Sequence, residues 1–480
     1  MKIGFLSLGC PKNLVDGEVM LGMVRDAGHV ITPDASEAEV LVVNTCAFID
    51  SAKQESIDAI LEMAEQKRGG SCQRLVVTGC LAERYRDELK KEIPEIDAVL
   101  GTGEVPRILE AIGMRAPGRG PEQPGAASPL RLFRSSDFAP AGDAFNRIDE
   151  AAEGNPNPEA RIPTYLYDAD TPRLLTTPGH YAYVKIAEGC DYTCAFCIIP
   201  TLRGSYRSRA AESIVREARS LVARGVRELL LISQDTTFYG IDRGDRGALA
   251  RLLRELNTID GLEWIRLLYL YPTTITDDVL AAMAECDKVC RYIDLPLQHA
   301  SAAVLKRMRR PGNRGTYDKL LGRIRQRVPG VTLRTTLIVG FPGETEADFN
   351  ELDNFVAETG FDHVGVFTYS HEEGTRAFGL PDDVPAAVKK HRRNRLMTRQ
   401  KKIVARAQKG RIGSQVAVLV DGPSSEHELV LQGRLEGQAP DIDPVVFLTD
   451  CDSERYDTGQ LIRATIVGAR GYDLVAAPTD

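Results

Sequence analysis

Three cysteines in one short run constrain this chain more than any other feature. They are Cys190, Cys194 and Cys197, within Ala187-Glu-Gly-Cys-Asp-Tyr-Thr-Cys-Ala-Phe-Cys. The C-x3-C-x2-C spacing sets three thiolates on one loop, enough to hold three corners of a cubane iron–sulfur cluster. Clusters that only carry electrons normally have four protein thiolates. Here no further cysteine follows before Cys286, so one iron stays open to a ligand that is not protein. A structural zinc site shows paired C-x2-C knuckles or a Cys/His mixture, and neither is present. Cysteines also serve as small buried hydrophobes, but the Gly, Asp and Thr around these three describe a loop, not a core strand.

An open iron in a reducing cluster suits S-adenosylmethionine, whose amino and carboxylate groups can chelate it before one-electron cleavage. The cofactor carries that chemistry and the protein positions it. With an aromatic, Phe196, before the third cysteine, the loop resembles the signature of the radical S-adenosylmethionine superfamily.

Residues 1–114 read as an open parallel α/β sheet domain. Apolar runs Ile3–Leu8, Val40–Val43 and Leu75–Thr78 predict buried parallel strands, with amphipathic stretches at 16–27 and 51–67 between them. A cysteine follows each: Cys10, Cys46 and Cys80. Right-handed crossovers put all strand C-termini on one edge, where ligands bind in open α/β folds. Leu8-Gly-Cys10, Asn44-Thr-Cys46 and Thr78-Gly-Cys80 place small or polar residues beside each sulfur. Such neighbours leave room for a cluster and hydrogen-bond its sulfides. Cysteine is also common in cores, but a second three-cysteine cluster is the better reading.

Residues 115–175, rich in Pro, Gly and Ala with little periodicity, read as a linker or insertion. From 176 to 411 the chain alternates again. Strands are expected at Tyr183–Ala187, Glu228–Ile232, Ile265–Leu270, Tyr292–Leu297, Leu333–Val339 and Val364–Tyr369. Six strand–helix units fit a partial (βα)6 barrel whose active edge is the strand C-termini. Residues 412–480 predict a small all-β barrel, with strands at Gln415–Val420, Glu428–Leu431, Val445–Thr449, Leu461–Val467 and Leu474–Ala477.

The formal charge is −8 and is unevenly spread. Residues 389–411 hold eleven Lys or Arg and no acid, while the chain from Gly413 onward holds four Arg against twelve acids. RNA binding draws most of its affinity from phosphate neutralisation, so an acidic terminal barrel would repel RNA and attract a basic protein. The basic segment reads equally as a ribosomal RNA contact or as a solvated helix face or domain seam. No apolar run approaches the roughly 20 residues of a membrane span. The first residues lack a signal peptide's long apolar core, and ten cysteines in an unexported chain point to metal ligation. A cytoplasmic location is expected.

The order of three-cysteine domain, radical barrel and small β-barrel resembles, over nearly the whole chain, the methylthiotransferase family. In that family the small barrel is called the TRAM domain. Members attach a methylthio group to an unactivated C–H position, some on transfer RNA and others on a ribosomal protein. Ser7–Asp16, Ser233–Gly240, Leu297–Ser301, Lys306–Gly312 and Asp443–Val446 resemble the branch acting on an aspartate of small-subunit ribosomal protein S-twelve. The transfer-RNA branch shows Gly-Gln-Asn-Val-Asn where Ser233–Thr237 stands. The resemblance implies a transferase with two [4Fe-4S] clusters and S-adenosylmethionine. Cys190, Cys194 and Cys197 would hold the cleaving cluster, and Cys10, Cys46 and Cys80 an auxiliary cluster that carries the sulfur. It also implies an electron donor of the flavodoxin type. Phe196 and the turn Gly340-Phe-Pro-Gly343 are expected to shape the cofactor pocket. Methylthiolation of a transfer-RNA adenosine is the alternative. A non-catalytic electron-transfer protein is disfavoured because neither trio has a fourth thiolate.

Other residues carry weaker expectations. His299 and Asp235 fall at strand ends, where core or loop roles compete. Arg203, Arg207 and Arg209 suit bidentate carboxylate binding or a solvated loop. Cys72, Cys286, Cys290 and Cys451 receive no role.

Overall fold

A computed structural model of the chain describes residues 1–114, 163–424 and 429–479. In the N-terminal unit, β1 (Lys2–Ser7), β2 (Val30–Thr32), β3 (Val40–Thr45), β4 (Arg74–Gly79) and β5 (Ile96–Leu100) form one parallel sheet in the order β2-β1-β3-β4-β5. Alternate residues of its strands serve two cores. Ile3, Phe5, Val40 and Val42 meet Val15, Val19 and Met20 of the helix Pro11–Asp26. Leu6, Leu41, Val43 and Leu75 meet Ile57, Ile60 and Met63 of the helix Asp50–Gly69.

The expected linker falls in two parts. Residues 115–162 lie outside the described residues. Residues 163–175 lie extended across the first helix, where Leu174 N donates to Glu18 O at 2.9 Å and Arg173 pairs with Glu18 at 2.6 Å and Glu217 at 2.7 Å.

The central unit begins with β6 (Tyr181–Lys185) and a short ribbon of β7 (Ala187–Glu188) with β8 (Arg207–Ser208). It continues through β9 (Glu228–Ile232), β10 (Trp264–Leu267), β11 (Tyr292–Asp294), β12 (Thr332–Val339) and β13 (His363–Thr368). Parallel sheets β10-β9-β6 and β11-β12-β13 are its halves. They meet where Ile265 N donates to Lys288 O at 2.7 Å and Cys290 N donates to Ile265 O at 2.9 Å. The result is the expected open six-stranded barrel. The basic segment forms the helix Ala386–Lys409, which packs on β13. Much of its charge is spent on that seam: Arg392 pairs with Glu344 at 2.7 Å, Arg395 with Asp353 at 2.8 Å, and Lys389 with Asp382 at 2.6 Å. Lys390, Arg393, Lys401, Lys402, Arg406 and Lys409 remain exposed.

The C-terminal unit closes β14 (Gln415–Pro423), β15 (Leu431–Arg434), β16 (Val446–Leu448), β17 (Leu461–Arg470) and β18 (Asp473–Pro478) into a barrel in the order β14-β15-β16-β18-β17. Its second strand starts at Leu431, later than expected, and Glu428 lies outside the described residues. This barrel seats on the starting ends of the central strands. Glu228, the first residue of β9, is buried between Arg266 at 2.7 Å and Arg434 at 2.6 Å. Arg434 also holds Asp421 at 2.9 Å, which meets His180 at 2.7 Å. Tyr292 donates to Asp443 at 2.6 Å and Tyr183 to Asp441 at 3.0 Å. The acids Asp421, Asp441 and Asp443 therefore hold the two barrels together, and they are not a steering surface as the charge count suggested. Leu419 and Ala439 belong to the shared core as well, so the terminal barrel is not a removable appendage. Asp450, Asp452, Glu454 and Asp457 are exposed.

Removing one partner from a buried ion network costs about 3–5 kcal/mol. The substitution Arg434→Met should lower the urea midpoint accordingly. The only tryptophan, Trp264, is buried with Arg266 5.7 Å over its ring, which makes it the reporter. Burial alone would raise Asp421, but Arg434 and His180 hold its carboxyl below its ordinary 3.8. Its contribution is complete above that value and is lost as pH falls through the lower folded value. The wild-type seam should loosen only below about pH 4, and Arg434→Met should remove that acid step.

Candidate active site

Each cysteine of the N-terminal trio stands at a strand end. Cys10 caps the helix Pro11–Asp26 after β1, Cys46 follows β3, and Cys80 opens the helix Cys80–Arg84 after β4. Parallel neighbours β1, β3 and β4 finish at one edge, so the three converge. Gly9 shows how closely: its φ is +91°, and a Cβ there would lie 2.8 Å from Cys46 Cβ and 3.1 Å from its Sγ. Asn13 ties the edge together by donating to Leu8 O and Thr45 O, both at 2.9 Å. Asn44 donates to Asn13 O at 2.7 Å, and Thr45 Oγ1 donates to Thr78 O at 2.6 Å. Cys46 and Cys80 are buried and Cys10 is exposed. Burial, reinforced by Cys80 and Cys10, pushes the Cys46 thiol up to about 12. Burial raises Cys80 too, against the pull of Arg203.

The second trio sits where β6 runs through the β7–β8 ribbon. Gly189 (φ +87°) forms the neck of this loop, since a Cβ would lie 2.1 Å from Ser205 O. Cys190 N donates to Gly204 O at 3.0 Å, Cys197 N to Cys194 O at 3.2 Å, and Ala195 N to Met308 O at 2.8 Å. Tyr192 donates to Asp235 at 2.8 Å and stacks on Tyr271 with ring centroids 3.9 Å apart. Arg310 lies over the other aromatic partner, Tyr271, at 4.5 Å, and its Nη1 reaches Cys194 Sγ at 3.6 Å. Burial lifts Cys190 to about 11 and Cys197 to about 12. Among the described residues no three His, Cys, Asp or Glu are set to hold a single metal ion.

A buried ionic network joins the two trios. Asp16, six residues beyond Cys10 on the same helix, meets Lys185 at 2.5 Å and Arg203 at 2.6 Å. Glu188, at the start of the cysteine loop, meets the same Lys185 at 2.5 Å and Arg203 at 3.2 Å. Arg203 also donates to Asn13 Oδ1 at 3.0 Å and reaches Cys80 Sγ at 3.6 Å. Across the barrel's open side, Glu372 in the loop after β13 takes Lys53 at 3.0 Å and Arg84 at 2.9 Å. The N-terminal domain thus spans the gap between the first and last barrel strands.

The remaining sequence candidates divide. Asp235 accepts from Tyr192, Thr237 and Thr274, a loop role that fixes the cysteine loop. His299 is fully buried and accepts from Ser301 N at 3.0 Å. Arg209 pairs with Glu217 and Arg207 binds backbone carbonyls, so the three arginines serve this chain's own acceptors, with Arg203 and Arg209 buried and Arg207 half-buried. Phe196 packs on an apolar cluster that contains Phe341. The backbone N–H groups of Gly340 and Gly343 donate to Glu344 and Asp383, each at 2.7 Å. Cys72, Cys286 and Cys290 are buried away from both trios. Sequence reading passed over Lys185, Glu188 and Arg310, whose partners come from distant segments. The one local signal was the charge pair Lys185 and Glu188 flanking the entry to the cysteine loop.

Several buried polar atoms around this edge have no partner among the described residues: Asn44 Oδ1, Gln234 Oε1, Gln298 Oε1 and Arg310 Nε. Six convergent thiols and these orphaned atoms fit two clusters and a polar cofactor.

Family models agree with this division of the chain. Residues 2–101 match the uncharacterized protein family UPF0004, 184–356 the radical SAM superfamily, and 412–478 the TRAM domain. A radical S-adenosylmethionine methyltransferase, TsrM, from Kitasatospora setae shares the fold with a TM-score of 0.50 at 16% identity, over 76% of this chain and 72% of that one. Fold and site together define a radical S-adenosylmethionine enzyme. The ribosomal protein uS12 methylthiotransferase RimO of Koribacter versatilis is 47% identical over 99% of this chain and 96% of its own length. That of Symbiobacterium thermophilum is 47% identical over 100% and 91%, and that of Trichlorobacter lovleyi 46% over 99% and 97%. The chain belongs to the uS12 methylthiotransferase family.

The substitution Gly9→Ala places a Cβ on Cys46 in a strained φ. The expected cost is about 1–3 kcal/mol in the iron-free protein, read by chemical denaturation. Iron bound on anaerobic reconstitution should fall toward half, because only one trio is disturbed.

Proposed function

We propose that the chain methylthiolates the β-carbon of an aspartate in ribosomal protein uS12. The observation that carries this reading is the meeting of two cysteine trios, from different domains, across one buried ionic network. Identity of 45–47% to relatives that bear this activity in their names supports the substrate. Cys190, Cys194 and Cys197 would hold the cleaving [4Fe-4S] cluster. Cys10, Cys46 and Cys80 would hold the auxiliary one. When bound, the clusters and S-adenosylmethionine supply the radical, the sulfur and the methyl group.

The chain's residues do the rest. Arg310 and Arg203 direct positive charge at one sulfur of each trio, which favours the thiolate forms that bind iron. Asp235 and Tyr192 hold the cysteine loop still. Phe196, with Gly340 and Gly343, shapes the pocket for the cofactor. The N-terminal domain spans the open side of the barrel and braces the strand ends between the trios. The functional units are taken as 1–114, 176–411 and 412–480, with 115–175 connecting the first two.

The reductant is proposed to be a flavodoxin-type donor, and the location cytoplasmic; among the described residues no helix is long and apolar enough to cross a membrane. The exposed basic residues of the helix Ala386–Lys409, beside a groove lined by His391, Arg399, Lys402 and Arg406, are offered as a ribosomal RNA contact. Asp450, Asp452, Glu454 and Asp457 offer a basic protein substrate an acidic surface.

Replacing Cys190, Cys194 and Cys197 by Ala should remove about half the iron and abolish cleavage of S-adenosylmethionine. Replacing Cys10, Cys46 and Cys80 should preserve cleavage and stop methylthio transfer. Loss of cleavage in that second variant would refute an independent auxiliary site. Mass spectrometry of uS12 and of transfer RNA from cells lacking the gene decides the substrate: an unmodified uS12 supports the proposal, and a change confined to transfer RNA overturns it.

A further inference from the structure

Lys12 lies two residues beyond Cys10, in the first turn of its helix, and is only 8% exposed. The three other buried lysines each hold a carboxylate: Lys53 has Glu372 at 3.0 Å, Lys185 has Asp16 at 2.5 Å, and Lys389 has Asp382 at 2.6 Å. Lys12 has no counter-charge within ion-pair distance among the described residues. Its Nζ rests 3.0 Å from the centroid of the Tyr269 ring. An aromatic face offsets part of the hydration that a buried ammonium loses, but buried charges are as a rule paired.

The acids nearby are already engaged. Glu188 is held by Lys185, Arg203 and Gln234. Asp294 is held by Arg334 at 3.3 Å and by the Tyr269 N–H at 3.0 Å. Tyr269 itself, just past the end of β10, has φ +61°. That conformation is costly for a bulky residue and persists only where the surroundings enforce it, as at ligand sites. An unpaired buried cation and a strained aromatic residue thus meet beside the exposed cysteine of the N-terminal trio.

We propose that Lys12 grips the side-chain carboxylate of the substrate aspartate, which rests on the function proposed above. In aspartate the reacting β-carbon is bonded directly to the carboxyl carbon. A charge-assisted contact of about 2.8 Å at Nζ fixes that carbon on the order of 4 Å away. The residue that recognises the substrate therefore also positions the carbon that reacts. A neutral nucleobase offers no such anion, so at the reacting position the same lysine favours a carboxylate over a base.

The test is a cycle between enzyme and substrate. Wild-type, Lys12→Met and Lys12→Arg chains, reconstituted with iron and sulfide, are compared on uS12 and on uS12 with Asn in place of the target aspartate. Both equilibrium binding and kcat/KM are read. The wild-type chain should prefer the Asp substrate by about 10- to 100-fold. Lys12→Met should lose that preference, chiefly through binding and KM, and Lys12→Arg should keep most of it. Retention of the Asp preference by Lys12→Met, or an equal loss on both substrates, overturns the proposal. If Lys12→Met loses its iron, Lys12→Gln carries the same comparison. A wild-type chain that leaves uS12 untouched and modifies transfer RNA overturns the function itself; a chain that modifies uS12 without discriminating Asp from Asn overturns the role of Lys12 alone.

Discussion

The network of Asp16, Glu188, Lys185 and Arg203 is the constraint on which the rest of this molecule depends. Two cysteine trios arise on separate folding units, and their chemistry requires a fixed separation and orientation. Apolar contact between the units supplies attraction but little direction, because the hydrophobic effect scales with area and not with angle. Two carboxylates gripped by the same two cations, at 2.5–3.2 Å, supply direction. The desolvation of four charges opposes much of the Coulombic gain, so such a network contributes register more than stability. Its position says the same. Asp16 shares the helix that Cys10 heads, Glu188 is two residues from Cys190, and Arg203 touches Cys80, so displacing a member disturbs the seat of a cysteine.

The two ends of the central barrel have opposite tasks. Its strand C-termini carry the cysteine loop, the orphaned polar atoms and the N-terminal domain. Its strand N-termini are sealed by the terminal barrel through Glu228, Arg434, Asp421 and Asp443. A barrel with an open side has no closed ring of hydrogen bonds to resist splaying, since β6 and β13 lack a common neighbour. Here it is braced twice, by the span from Lys185 to Glu372 above and by the small β-barrel below. The acidity of the terminal barrel acquires a structural meaning from this arrangement: Asp421 answers the buried Arg434, and Asp443 the half-buried Arg334.

Short-range patterns made much of this legible in the sequence. The central strands were readable because buried parallel strands are continuous apolar runs, and the six cysteines because each follows such a run or shares one loop. The edge strands β2 and β5 were missed for the same reason. One has three residues, and the other carries Asp97 within Ile96–Leu100 and pairs with an irregular register. Asp441 and Asp443 were misread because net charge records sign, not direction, and both point at tyrosines of another unit. Arg203 was singled out, but its partner Asp16 is 187 residues away, and no local pattern reports such a pair.

The N-terminal trio is asymmetric, and the asymmetry is informative. Cys46 and Cys80 are buried, and burial disfavours their thiolates until metal or Arg203 compensates. Cys10 is exposed and stands at the head of its helix. Of the three corners, the Cys10 corner therefore faces the space between the domains, with Tyr269 and Lys12 on its flank. A group placed there meets the barrel's strand ends on one side and the N-terminal domain on the other. The positive charge of Lys12 is thus set beside the one corner of this trio that is not buried.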